Sequence, residues 1–291
     1  MGIVSIGFAP IFMRLSELGP NATALYRVAF ALPFLMLWLG LERRIQVPTD
    51  GGPTVTKKRP LKRADWLLLA VSGLFWSGDL VFWHWSISLT NVANSTFFAC
   101  SSPIFVILGA RLFFGERINR GFFAGFLLTL IGGAMLLGSS LVFGGSNFLG
   151  DIFGIITAFF FGSYMLTIKH LRADLPTGAI MFWSGLFSLP GLLLATLLTG
   201  DSFVSASLFG WSMIIALALV VHAVGQGLAA YALAHLPVPF TAVAFLGEPV
   251  VAAIFGWLIL AEALGPLQAT GCVVILAGVW LTQRYGMRRR V

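Results

Sequence analysis

Apolar residues fall along this chain in blocks long enough to cross a bilayer, separated by short polar stretches. A hydrocarbon core of roughly 30 Å needs about 20 apolar residues per helix. On that measure the pattern predicts ten spans, over residues 2–18, 22–41, 65–88, 92–114, 121–143, 149–168, 176–199, 208–234, 239–261 and 265–285. The first starts almost at Met1 and already carries Arg14 and Glu17. It shows no basic leader and no small-residue cleavage site, so it does not read as a signal peptide, and a start upstream of Met1 stays open. Ten helices of about 22 residues use most of the chain and leave no room for a soluble domain. Most connections are short. The exception is a basic loop over 42–63, rich in Pro and Gly, which reads as solvated and flexible.

Composition agrees. Hydrophobic residues make up 58% of the chain and charged residues 10%, with a mean hydropathy of +0.93. Soluble domains average roughly 45–50% apolar and about 25% charged. A soluble enzyme, a disordered chain and a disulfide scaffold are therefore excluded. Cys100 and Cys272 both lie inside apolar runs and form neither a framework nor a metal cluster.

The charges then orient the chain. With both termini on one side, sixteen of the 18 Lys and Arg fall on that side, in the loop 42–63, the two other short connections and the tail. Arg14 and Arg27 are the exceptions. The positive-inside rule places both termini in the cytoplasm. It also accounts for the net charge of +7 without a nucleic-acid partner, since the basic residues interleave with no exposed aromatic platform.

A shift of 146 residues overlays the two halves without a gap: Pro103 falls on Pro249, Glu116 on Glu262, Gly125 on Gly271, Gly132 on Gly278 and Trp85 on Tyr231. The expected units are 1–143 and 144–291, each of five helices. An odd number reverses the second copy in the membrane. The predicted fold is thus an all-α membrane protein of ten transmembrane helices, built as two inverted five-helix repeats around a central cavity.

Three segments carry a family likeness: SIGFAPIFMRLSELGPNATALYRVAFALPF, VFWHWSISLTNVANSTFFACSSPIFVILGARLFFGERI and GQGLAAYALAHLPVPFTAVAFLGEPVVAAIFGWLILAE. In order and spacing they resemble the drug/metabolite transporter superfamily, specifically its EamA-type carriers, and within these most resemble the YddG-type amino-acid exporters. The first span is shorter than is usual there. The resemblance implies a bacterial inner-membrane carrier that exports amino acids or related metabolites by alternating access.

Ionisable groups in lipid are costly and usually face the bundle interior. Asp79 and Glu248 are the two deep acids. Trp76, Asp79 and Trp83 share one helix face. Asp79 between two indoles suits an ammonium group; alternatively it is a hydrogen-bonded structural residue, with the tryptophans toward lipid. Glu248 precedes Pro249 on a face with Phe245. It suits a cation or a proton, or else bonds to a neighbouring helix. Asp79 and Glu248 are the candidates for proton coupling, and Pro103 and Pro249 for hinges. His222 and Gln226, one turn apart, are further candidates for the cavity, as is His84. Phe98, Tyr164 and Trp183 complete the expected substrate-binding set as aromatic wall. Arg27 lies early in its span, where it either meets a substrate carboxylate or, in the favoured reading, snorkels to the interface or pairs with Glu17. The small-residue positions Gly121, Gly125, Gly271 and Gly278 suit either close packing of the fifth and tenth helices or a homodimer.

The expected function is a secondary transporter of small amphipathic metabolites, most readily amino acids and among them aromatic ones, with no cofactor and no metal. No phosphate-binding loop is present, so a gradient supplies the energy. The alternatives are a multidrug or nucleotide-sugar carrier of the same superfamily. A membrane-embedded lipid-modifying enzyme would need a cluster of polar groups that the sequence does not offer.

Overall fold

In the computed structural model the described residues are 1–44, 61–90, 92–115, 119–138, 148–260 and 264–286. Most of the basic loop, Glu116, Arg117, Glu262 and Arg288 to Arg290 lie outside them. The described residues fold as helices, nine of them long and apolar enough to cross a membrane, and the chain is a multi-pass membrane protein. The expected first span is instead a bent pair of short helices, α1 (Gly2–Ile6) and α2 (Ala9–Leu15). The bend falls at Gly7 and Phe8, ahead of Pro10, which enters α2 in its first turn, where its missing N–H costs nothing.

Next come α3 (Pro20–Arg44) and α4 (Arg63–Leu89), each long enough to span. The span expected over 92–114 is broken into α5 (Val92–Ala99) and α6 (Ser102–Phe114). After it follow α7 (Arg120–Leu137), α8 (Phe148–Leu171) and α9 (Thr177–Thr199). The eighth expected span has three parts: α10 (Leu208–Ala216), a π-helical segment over Leu217–Gln226, and α11 (Gly227–His235). The ninth is again broken, into α12 (Val238–Phe245) and α13 (Glu248–Leu260), before the final α14 (Pro266–Gly286). The two breaks match: α5 and α12, and α6 and α13, have the same bounds 146 residues apart. Pro103 and Pro249 each occupy the second position of the helix after the break, and neither can donate to the turn before it.

Two helix pairs fasten the bundle. In the first, α3 and α9 run antiparallel and cap each other. The Glu42 carboxylate accepts the Thr177 and Gly178 amides at 3.0 and 2.8 Å, satisfying the N-terminus of α9. At the other end Asp201, just past Gly200 (φ +69°), accepts the Asn21 and Ala22 amides at 2.8 and 3.2 Å. Negative charge at a helix N-terminus also complements the helix dipole. Near the Glu42 end, buried Arg172 donates to the Leu175 carbonyl at 2.6 Å. Burial pulls its guanidinium below the usual arginine range, and the Glu42 charge opposes that.

The second pair is α7 with α14, whose backbones touch through glycines. A β-carbon on Gly278 would lie 2.7 Å from the Gly125 carbonyl oxygen, and one on Gly132 2.9 Å from that of Gly271. The small-residue pattern thus serves packing within the chain. Gly121 belongs to the same seam, against the Tyr285 ring.

The remaining helices gather around α4 and α8. Ser86 donates to the Gly150 carbonyl at 2.7 Å and Thr90 to Asp151 at 3.1 Å, while Gly78 lets the Phe160 ring approach α4. The π-helical segment is covered by α1, where Gly2 and Gly225 meet.

Candidate functional site

The charged centre of the molecule lies where α3, α4, α8, the π-helical segment and the α12–α13 break converge. Its hub is Trp76 on α4, whose ring lies 4.9 Å from that of Tyr164 on α8 and 5.6 Å from that of His222. The Arg27 guanidinium from α3 sits over the same indole, 5.6 Å from its centroid, within cation–π range. Asp79, one turn beyond Trp76, and Glu248, at the start of α13, attract Arg27 through space from opposite halves of the chain.

These groups are enclosed. His222 is 1% exposed, Arg27 6% and Asp79 9%, while Glu248 is half-buried. Local folding explains the placement. The continuous helix α4 brings Trp76 and Asp79 to one face, one turn apart. The π-helical segment widens the backbone at the position carrying His222 and Gln226; such segments recur at functional sites. The α12–α13 break sets Glu248 in the first turn of a helix.

Beside the charged centre a narrow pocket is lined by Phe161, Tyr164, Gln226 and Phe245, with Met165, Ile168 and Leu233 farther along. The rings of Phe161 and Phe245 meet edge to face at 5.3 Å, and the Tyr164 hydroxyl faces the Met181 sulfur at 3.7 Å. A second, apolar pocket lies between the two helix breaks and the α7–α14 pair, lined by Cys100, Gly133, Leu246 and Pro249.

Of the residues expected to bind substrate, Trp76, Asp79, Tyr164, His222, Gln226, Phe245 and Glu248 are brought together. Three others are placed elsewhere. Trp83 packs on His84, two turns along α4, with ring centroids 5.2 Å apart. Phe98 lies against Gly154 of α8 and the Phe97 ring. Trp183, half-buried against the core, joins the exposed Trp66 and Phe187 in an aromatic cluster, with centroids 4.6 and 6.3 Å away.

Arg27 reverses the favoured expectation. It neither snorkels nor pairs with Glu17. Glu17, with φ +61°, instead accepts the hydroxyls of Ser205 and Ser207 at 3.2 and 2.9 Å. The signal was present in the sequence: Arg27 is a basic residue inside an otherwise apolar span, and such residues carry functional meaning by default. Among the described residues no group of three His, Cys, Asp or Glu side chains converges to hold a metal ion.

The chain is similar to several known proteins. The pseudopaline exporter CntI of Pseudomonas aeruginosa is 29% identical over 210 residues, 72% of this chain and 72% of that protein. A Salmonella typhimurium protein named "Probable amino-acid metabolite efflux pump" is 30% identical over 192 residues, 63% of this chain and 64% of its own length. A crystal structure of a protein 18% identical matches the fold with a TM-score of 0.79, covering 99% of this chain and 96% of the other. The EamA-like transporter family matches twice, over residues 1–138 and 148–284. The chain belongs to the EamA-like transporter family.

Proposed function

We propose that this transporter exports small amphipathic metabolites, amino acids foremost, by alternating access. The observation that carries the reading is the enclosed centre itself. It holds both signs of charge, Arg27 against Asp79 and Glu248, beside the aromatic wall of Trp76, Tyr164 and Phe245. An amphipathic zwitterion matches such a site at both ends and along its side chain. The relatives named as a pseudopaline exporter and an amino-acid metabolite efflux pump point the same way.

In this reading the chain is two inverted five-helix repeats, 1–143 and 144–291, with α1 and α2 as the tenth span. Several features support it. The 146-residue shift carries the Gly125–Gly278 contact onto Gly271–Gly132, so one operation exchanges the two halves of the seam. The same shift relates Trp76 to His222, which touch each other at the centre. The paired breaks before Pro103 and Pro249 are the hinges at which the two halves flex. Asp79 and Glu248 together outnumber Arg27 by one charge, and a single proton makes the group neutral, which suits proton coupling. The protein then lies in the bacterial inner membrane with both termini cytoplasmic, as the basic loops indicate.

The test is flux of a panel of radiolabelled amino acids through liposomes holding the purified protein. Saturable flux above protein-free liposomes is expected for several of them. Flux indistinguishable from protein-free liposomes across the panel would overturn the substrate class, and amino-acid flux indifferent to an imposed pH gradient would remove the proton.

A further inference from the structure

We infer that Arg27 is the anchor for the substrate's carboxylate, so that the site selects molecules with a free carboxylate next to an ammonium group. The inference rests on the amino-acid reading above and adds to it which residue reads which end.

A guanidinium inside a membrane bundle is costly unless its charge and its donors are met. Here Asp79 and Glu248, on other helices, act on the charge through space. One face of Arg27 rests on the Trp76 ring, and its Nε has no hydrogen-bond partner among the described residues. Two neighbours share that condition. The indole Nε1 of Trp76 and both ring nitrogens of His222 are buried and unpartnered, and the two rings are 5.6 Å apart. Buried polar groups are nearly always hydrogen-bonded, so three such side chains meeting at one place, Trp76 with Arg27 and His222 beside it, mark a place made for a ligand.

The chemistry of the three names the ligand. Guanidinium and indole are donors only, and imidazole carries at least one N–H. Three donors require an acceptor, and a carboxylate offers two oxygens to the planar fork of an arginine. Asp79 and Glu248 supply the opposite sign within the same enclosure, for the ammonium group. The pocket of Phe161, Gln226 and Phe245 is then left for the side chain. If Arg27 served only as counter-ion to the two acids, its replacement would slow all substrates alike and leave their ratio unchanged.

The experiment compares radiolabelled phenylalanine with phenylalaninamide, which keeps the ammonium and the ring but lacks the anion. Flux is measured in liposomes carrying the full chain, after subtracting leak through protein-free liposomes. The wild type is expected to prefer the acid by about tenfold or more, because the amide leaves the donors of the site poorly met. Arg27→Gln brings the ratio toward one. Arg27→Lys keeps the charge that Asp79 and Glu248 face, so it preserves folding, and lowers the ratio several-fold by losing the bidentate geometry. A wild type that moves the amide as fast as the acid overturns the anchor while leaving amino-acid export standing. So does a monodisperse Arg27→Gln or Arg27→Lys protein that keeps the wild-type ratio. A wild type that moves no amino acid in the panel overturns the amino-acid reading first, and the anchor with it.

Discussion

Replacing Gly278 by Ala tests whether α7 and α14 touch as closely as described. The added β-carbon would sit 2.7 Å from both the Gly125 oxygen and the Thr129 nitrogen, and closer still to the Thr129 hydroxyl. The obstacles are mainly backbone, so no side-chain rotation relieves them. Ordinary contact begins near 3.4 Å, so the helices must part by roughly 0.7 Å, and a gap of 0.5–1 Å forfeits a quarter to a half of each dispersion contact. Overpacking of this kind costs about 1–3 kcal/mol. Against it stands the gain of about 0.5–1 kcal/mol when Ala replaces Gly in a helix. Gly133→Ala, in the same helix α7, is the control, because its β-carbon would meet nothing within 4 Å. The expected result is a net loss of up to about 2 kcal/mol for Gly278→Ala, and no loss or a slight gain for Gly133→Ala. Gly132→Ala acts at the separate contact with Gly271 and Ile275, so its effect adds to that of Gly278→Ala. The assay is thermal unfolding of detergent-purified protein followed by size-exclusion chromatography. Equal behaviour of Gly133→Ala and Gly278→Ala would refute the backbone contact.

Other substitutions probe the remaining features. Glu42→Ala and Asp201→Ala each remove two charge-assisted bonds to a helix N-terminus, and each is expected to lower stability by about 1–3 kcal/mol in the same unfolding assay. Glu248→Gln and Asp79→Asn are expected to reduce amino-acid flux at least about tenfold and to abolish its response to a pH gradient in whichever position carries the proton. Trp183→Ala is expected to leave flux within about twofold of wild type, since Trp183 packs with Trp66 and Phe187 and not with Trp76, whereas Trp76→Ala is expected to remove most of it.

The spans were legible because lipid imposes a length on every helix that crosses it. Their two-part character was only half legible. Pro103 and Pro249 mark the disturbed turns, but the break precedes each proline by two or three residues, at Cys100–Ser101 and Leu246–Gly247. Nothing in the apolar run Leu217–Gln226 announces a wide helix; the segment is shaped by packing against α1 and α3. Which aromatic rings face inward was not legible, since interior and lipid are equally apolar. Trp183 and Trp76 are the same residue in similar surroundings of sequence, and the fold buries Trp76 at the centre but leaves Trp183 half-buried beside the exposed Trp66 and Phe187. Arg27 was misread for a related reason. Two turns from the end of its helix, it stands where a side chain ordinarily reaches water, but Asp201, Ser205 and the loop between α9 and α10 close that end.

The glycine seam also sets a schedule for assembly. Gly125 and Gly278 are 153 residues apart in the chain, yet their backbones touch. At a synthesis rate of about 5–20 residues per second, α7 waits roughly 8–30 s in the bilayer before α14 emerges. Throughout that interval its flat, small-residue face has no partner from its own chain, and lipid tails or an insertion factor must occupy it. The helix α14 therefore has to displace whatever fills that face, and closing the seam is an exchange of partners.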